Sequence, residues 1–154
     1  MSMLFHFFLS ISIIFTSMIV GFLVNERIKN ISFYHQLSDF VFIKNDRINQ
    51  SIGVGVMKFL VSKTFWNKFN PKLRIDGKPD LAELKELYKE MISAEISHLI
   101  GFVGVFFISI GSFLVGKYEF GFVLLVLNII FNLYPSLLQQ QNKKRIKSMI
   151  KSYL

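Results

Sequence analysis

The chain has 154 residues, of which 52% are hydrophobic and 18 are phenylalanine, and it carries a formal net charge of +8. The apolar residues are gathered into long uncharged runs that a soluble monomer could not cover, so the composition indicates an integral membrane protein. The absence of cysteine excludes a disulfide framework, a thiolate metal site and a cysteine nucleophile. In a membrane protein, an excess of lysine and arginine is explained by its orientation in the membrane and by contact with anionic lipids. We therefore expect no nucleic-acid partner.

Three apolar runs are long enough to cross about 30 Å of hydrocarbon as helices. They cover residues 3–24, 96–115 and 120–138. No lysine or arginine precedes the first run and no small-residue cleavage site follows it, so we interpret it as a retained helix rather than a signal peptide. Only residues 116–119 separate the second and third runs, which predicts a tight antiparallel hairpin. The sequence therefore predicts an all-α integral membrane protein with a single membrane domain over residues 1–154.

Lysine and arginine are unevenly distributed among the segments outside these runs. None precedes the first run, twelve lie in residues 25–95, one lies at the hairpin tip and five lie in the tail, residues 139–154. Basic loops remain in the cytoplasm. We therefore expect a multi-pass protein of the cell membrane, with its N-terminus outside and both the segment 25–95 and the tail in the cytoplasm.

The cytoplasmic segment between the first and second spans has a pattern of its own. Residues 51–61 are apolar but too short to span, which indicates a helix in the membrane interface, and residues 72–75 alternate basic and apolar side chains as a short extended piece does. A further helix is predicted to begin at Asp80, a good N-cap with Glu83 at the capping-box position. No helix breaker follows before His98, so this amphipathic helix is expected to continue into the second span.

Small residues of the second span have two interpretations. They are Gly101, Gly104 and Gly111. They either allow the backbone of a neighbouring helix to approach closely or are simply tolerated in lipid.

Polar side chains in or beside a span are costly when unpaired, which makes them candidates for function. Glu95 and His98 lie three residues apart on one helix face, so the carboxylate is within reach of an imidazole N–H and would raise the basicity of the ring. The alternative is a glutamate that extends to water at the membrane boundary. His6 and His35 are interpreted as structural.

Polar residues of the third span add to this pair. Asn128 and Asn132 are four residues apart on one face, although an asparagine in a span often only bonds a neighbouring helix. Reflecting the hairpin through Lys117 places Gln139 opposite Glu95, with an error of about one turn. Five polar residues are therefore expected to converge near the cytoplasmic boundary: Glu95, His98, Asn132, Gln139 and Asn142.

The sequence offers little for other catalytic chemistries. It contains no G-x-S-x-G serine motif and no dinucleotide fingerprint. Glu95-x-x-His98 is half of a di-iron motif, but the second half is absent. We therefore expect neither a metal nor another cofactor.

Several short motifs occur in a distinctive order between Phe65 and about Ile150. They are Phe65-Trp66-Asn67-Lys68, Asp76-Gly77, Glu90, Ala94-Glu95-x-x-His98-Leu99-Ile100, Asn132, Pro135, and Gln139-x-x-Asn142 before Arg145. In this order they resemble the glycosyl-4,4'-diaponeurosporenoate acyltransferase family, small membrane proteins of carotenoid glycolipid synthesis. The sequence departs from the family pattern at Gln140, where arginine is expected, and at Lys144, where proline is expected.

The resemblance implies transfer of a fatty acyl group to a sugar hydroxyl of a glycosylated terpenoid, carotenoid or related glycolipid. The implied partners are an acyl donor such as acyl-CoA, a lipid-soluble glycosylated acceptor and membrane lipids. The residues assigned to catalysis are His98, Glu95, Asn132 and Gln139. Those assigned to substrate binding are Asn128, Asn142, Lys143, Arg145, Lys72, Arg74 and Trp66. In this hypothesis His98, oriented by Glu95, deprotonates the hydroxyl, and amide groups stabilise the oxyanion. The alternative is a non-catalytic small membrane subunit or scaffold, in which Glu95 and His98 form a structural pair.

Overall fold

Every regular element in the described part of the chain is helical. A computed structural model describes residues 2–43, 51, 53–63 and 79–153. The helices are α1 (Met3–Ile28), α2 (Tyr34–Asp39), α3 (Val54–Lys63), α4 (Leu81–Leu114), α5 (Tyr118–Asn128) and α6 (Tyr134–Lys151). A π-helical turn, Ile129–Leu133, joins α5 and α6 into one continuous rod. Trp66, Lys72, Arg74 and the extended piece expected at 72–75 lie outside the described residues.

Among the described residues, three helical rods are long and apolar enough to cross a membrane: α1, α4 and the rod formed by α5 and α6. The prediction of an all-α membrane protein with three spans is therefore confirmed. Helix α1 continues beyond the predicted first span, from Val24 to Ile28. The added turn is stabilised by Asn25, which is buried and donates from Nδ2 to Ser93 Oγ at 2.8 Å.

The predicted capping box begins α4. The amide of Glu83 donates to Asp80 Oδ1 at 2.8 Å, and the amide of Asp80 donates to Glu83 Oε2 at 3.1 Å. The helix then runs 34 residues without a break, as expected. That length is about 51 Å, against about 30 Å of hydrocarbon, so part of α4 lies outside the membrane. Outside the predicted span it packs on α6 through Leu84, Met91 and Ile146.

The hairpin between α4 and α5 turns as tightly as predicted. Gly116 has φ +77°, a conformation that favours glycine, and the amide of Lys117 donates to the carbonyl of Ser112 at 2.9 Å. The turn therefore places α5 and α6 antiparallel to α4.

Glycines set the closest helix contacts, but only one of the three predicted ones does so. A Cβ at Gly101 would lie 3.0 Å from Asn132 Oδ1, whereas one at Gly104 or Gly111 would meet no protein atom within 4 Å. The tightest approach is at Gly21 of α1, where a Cβ would collide with the carbonyl oxygen of Ser97.

Candidate functional site

Glu95 is 2% exposed and lies where α4 faces α6. Its Oε2 forms an ion pair with Lys143 Nζ at 2.5 Å, and its Oε1 accepts a hydrogen bond from Gln140 Nε2 at 3.1 Å. Ser136 Oγ donates to the Glu95 backbone carbonyl at 3.2 Å. The carboxylate is thus bound by α6, and these contacts replace the hydrogen bond that was expected between Glu95 and His98.

Lys143 is 3% exposed, so its charge faces the protein interior and not the phosphates of a donor. Besides Glu95, its ammonium donates to the carbonyls of Ser38 at 2.8 Å and Phe40 at 3.4 Å. The physical reason for this placement is that a buried carboxylate is stable only with a counter-ion and further hydrogen bonds. The ammonium also binds the segment 38–43 to the bundle.

Gln140, rather than the predicted Gln139, is the residue opposite Glu95. Successive residues of an α-helix are rotated by about 100° around its axis. A π-helical turn contains one extra residue, so each later position on the helix surface is occupied by the next residue in the sequence. The turn at 129–133 lies between the hairpin tip and this site, so the residue one place later reaches Glu95. Gln139 instead accepts a hydrogen bond from Asn142 Nδ2 at 3.3 Å on α6 itself.

Asn128 and Asn132 share a face, as predicted, and both are fully buried. Asn132 Nδ2 donates to Asn128 Oδ1 at 2.9 Å and to Ser17 Oγ at 3.1 Å, and Asn128 Nδ2 donates to the carbonyl of Phe102 at 2.9 Å. The two amides therefore connect α1, α4 and the rod of α5 and α6. Both polar atoms of Asn128 are used in this way, so its geometry is that of a helix-joining residue.

Whereas Glu95 contacts α6, His98 lies next to Asn132 and lines a cavity together with residues of α1. It lines a cavity of about 360 Å³ together with Met18, Phe22, Glu90, Ser93, Ala94 and Ser97. Within the described residues, His98 Nδ1 and Ser97 Oγ are buried and have no hydrogen-bond partner. An imidazole nitrogen and a hydroxyl without a hydrogen-bond partner in the described residues thus lie buried beside this cavity.

A second, apolar cavity of about 230 Å³ lies on the Glu95 side of α4. Its walls come from α4, from Leu37 of α2, and from Phe40 and Phe42 of the segment 38–43 that Lys143 binds. Tyr34 of α2 lies close to Asn25 of α1. Burial raises the pKa of the Tyr34 phenol, so the side chain stays neutral at physiological pH.

The remaining predicted residues lie outside these clusters. Arg145 is exposed on α6, and Asn142 is half-buried. His6 Nδ1 lies 3.7 Å from Glu119 Oε2, near the hairpin, and His35 is exposed on α2. Among the described residues, no group of three or more histidine, aspartate or glutamate side chains could hold a metal ion.

The sequence analysis missed the hydroxyls of Ser93 and Ser97 near His98. The available signal was their spacing: three residues separate Glu90 from Ser93 and four separate Ser93 from Ser97, which places all three on one helix face. Gln140 had no comparable signal, because the π-helical turn that brings it to Glu95 is not marked by any residue type.

Comparison with known proteins matches the chain to a family. The family model described as glycosyl-4,4'-diaponeurosporenoate acyltransferase matches residues 30–152, which is most of the chain. No curated protein and no solved structure matches the chain significantly.

Proposed function

Because the chain belongs to the glycosyl-4,4'-diaponeurosporenoate acyltransferase family, we propose that it transfers a fatty acyl group to a sugar hydroxyl of a glycosylated terpenoid, carotenoid or related glycolipid in the membrane. An acyl-CoA is the proposed donor. The family is one of acyltransferases, and the site supports this chemistry.

The observation that carries the proposal is the imidazole of His98 beside the cavity of about 360 Å³. Its Nδ1 has no hydrogen-bond partner in the described protein, so it is free to accept the proton of a hydroxyl. The hydroxyl oxygen attacks the acyl carbonyl carbon, the carbon–sulfur bond breaks, and the proton passes from His98 to the leaving thiolate. Asn132, next to the ring, positions the imidazole for this step.

The depth of His98 also supports the proposal. His98 is about 19 residues from the hairpin tip, which is about 28 Å along the helix and close to the thickness of the hydrocarbon. At that depth a membrane-embedded acceptor and a water-soluble donor can meet. Exposed Arg145 is the proposed contact for the donor's phosphates, because guanidinium groups bind phosphate in a bidentate way.

Five further residues are proposed for the site. Gln139 and Asn142, bonded to each other, are proposed as polar contacts near the ester group. Trp66, Lys72 and Arg74 are proposed from the sequence alone. In the alternative of a non-catalytic scaffold, the buried structural pair is Glu95 with Lys143 instead of Glu95 with His98.

The test is the specific activity of His98→Ala in reconstituted membranes. Loss of a positioned base is expected to lower turnover by about 10²–10⁴-fold while the protein accumulates normally. His35→Ala, which changes an exposed histidine on α2, is the matched control and should keep full activity. Turnover of His98→Ala near that of the unmodified protein would contradict catalysis and favour the scaffold.

A further inference from the structure

Hydrogen bonds fix the direction of two buried side-chain amides in the third span. The Phe102 carbonyl of α4 can only accept a hydrogen bond, so the group that Asn128 presents to it, at 2.9 Å, is its amino group. The oxygen of Asn128 therefore faces away from Phe102, towards Asn132. This oxygen also only accepts, and Nδ2 of Asn132 donates to it at 2.9 Å. A backbone carbonyl of α4 thus determines the orientation of both asparagines.

Ser17 of α1 imposes the same orientation on Asn132 independently. The hydroxyl of Ser17 donates its single hydrogen to the carbonyl of Ile14 at 2.7 Å, so it presents a lone pair to Asn132. Nδ2 of Asn132 donates to this lone pair at 3.1 Å. Both hydrogens of the Asn132 amino group are then used, one by Asn128 and one by Ser17. Turning the amide over would cost both hydrogen bonds.

The remaining polar atom of Asn132 is Oδ1, which lies against α4 close to His98. A Cβ at Gly101 would lie 3.0 Å from this oxygen, so the missing side chain of Gly101 leaves room for it. His98 precedes Gly101 by about one helical turn, and its ring lies beside the Asn132 amide. Oδ1 is buried without a hydrogen-bond partner among the described residues, and it can only accept. An imidazole N–H is the group that satisfies it.

We propose that Asn128 acts through Asn132 to select the tautomer of His98. With Oδ1 of Asn132 facing the ring, the proton of the neutral imidazole is held on the nitrogen nearest that oxygen. His98 Nδ1 has no partner among the described residues, so we expect the proton on Nε2 and none on Nδ1. Asn128 is thus a positioning residue that keeps Nδ1 available as a base. This inference rests on the proposed function for the role of His98 as that base.

The same orientation stabilises the charge that forms during acyl transfer. When Nδ1 of His98 accepts the proton of the sugar hydroxyl, the ring becomes an imidazolium with a proton on each nitrogen. The partial negative charge of Asn132 Oδ1 then lies against the Nε2–H. The proton on Nδ1 passes to the leaving thiolate and the proton on Nε2 stays in place, so the neutral ring returns to the same tautomer.

The tautomer is measured by solid-state nitrogen NMR of the full chain, isotopically labelled at histidine, in phosphatidylglycerol vesicles. Protonated and unprotonated ring nitrogens have different chemical shifts, and His98→Ala identifies the signals of His98. At about pH 8, where an ordinary imidazole is neutral, we expect the Nε2–H tautomer to predominate. In Asn128→Leu the ratio of the Nε2–H to the Nδ1–H tautomer should fall about five- to tenfold, the effect of one lost hydrogen bond. An unchanged ratio in Asn128→Leu would overturn the proposal.

Three further variants separate orientation of the ring from general damage to the bundle. Asn128→Asp should keep the tautomer of the unmodified protein, because a buried neutral carboxyl accepts from Asn132 and donates to the Phe102 carbonyl. Asn25→Leu, the matched control, removes another fully buried asparagine that joins two helices and should leave the ratio unchanged. Ser17→Ala removes the second acceptor from a half-buried position and should shift the ratio as Asn128→Leu does, even if Asn128→Leu does not accumulate. An equal shift in Asn25→Leu would overturn the proposal.

Turnover shows whether Asn128 acts through Asn132. Asn128→Leu should lower kcat about five- to tenfold and leave the KM for the acceptor unchanged, and it should have no further effect in an Asn132→Leu background. Equal losses of kcat in both backgrounds, or a raised KM with normal kcat, would contradict a positioning role. Because the NMR measurement needs no turnover, the expected tautomers in a protein whose His98→Ala variant is fully active would refute the proposed function and leave the selection of the tautomer standing.

Discussion

A carboxylate and an ammonium share one buried site at the boundary of the bundle, and each depends on the other. Glu95 and Lys143 are almost completely buried, and the hydrogen bonds from Gln140 and to the carbonyls of Ser38 and Phe40 complete their coordination. Removing one partner of such a pair leaves an uncompensated charge, whereas removing both with similar volume is far less costly.

The prediction is that Lys143→Met destabilises the protein by about 3–5 kcal/mol, because Glu95 is left buried without its counter-ion. The double variant Glu95→Gln with Lys143→Met should recover most of that loss. Thermal unfolding in detergent measures both. A double variant less stable than Lys143→Met alone would show that the charge of Glu95 is needed for a purpose other than pairing with Lys143.

At the level of helices, much of the fold was predictable from local chemistry. The capping box at Asp80 and Glu83, the uninterrupted helix through His98 and the short hairpin all depend on residues close in sequence, and all are present. The sequence predicted Gln139 opposite Glu95, whereas Gln140 occupies that position. The prediction missed by one residue because the π-helical turn depends on how three helices pack. The pairing of Glu95 was missed for the same reason, and Lys143 was interpreted from its charge without knowledge of its burial.

The register makes a testable distinction between two neighbouring glutamines. Gln140 Oε1 accepts a hydrogen bond from the amide of Ile43 at 3.3 Å, whereas Gln139 bonds to Asn142. Gln140→Leu should therefore speed hydrogen exchange in the segment 38–43 by about five- to tenfold, the effect of one lost hydrogen bond. Gln139→Leu, the matched control, should leave that segment unchanged. Faster exchange in the Gln139 variant instead would place the register one residue earlier.

In the described part of the chain, two long rods pack with the shorter helix α1 beside them. The rods α4 and α5–α6 each have 34 residues, about 51 Å, so a bilayer of about 30 Å covers only the part nearest the hairpin. The contacts of Leu84 and Met91 with Ile146 then lie outside the hydrocarbon. The basic segments adjoin the ends of the rods opposite the hairpin, and from this charge distribution we expect those ends to be cytoplasmic.

Topology is tested by single cysteines, since the natural chain has none. Lys117→Cys at the hairpin tip should react with an impermeant maleimide in intact cells, and Lys147→Cys on α6 should react only after permeabilisation. The cysteine-free protein gives the background. Labelling of Lys147→Cys in intact cells would contradict an external N-terminus and a cytoplasmic tail.

The long sequence separation between the partners of α1 has a consequence for the time course of synthesis. The partner of Asn25 is Ser93, 68 residues later, and that of Ser17 is Asn132, 115 residues later. At about 5–20 residues per second, α1 remains in the membrane for roughly 6–23 s before Asn132 has been made. During that interval α1 is stabilised in the membrane by its apolar surface, and Ser17 and Asn25 have not yet formed their hydrogen bonds with the later helices. The nascent protein thus passes through a stage in which α1 is accessible to other membrane proteins, and completion of the third span ends that stage.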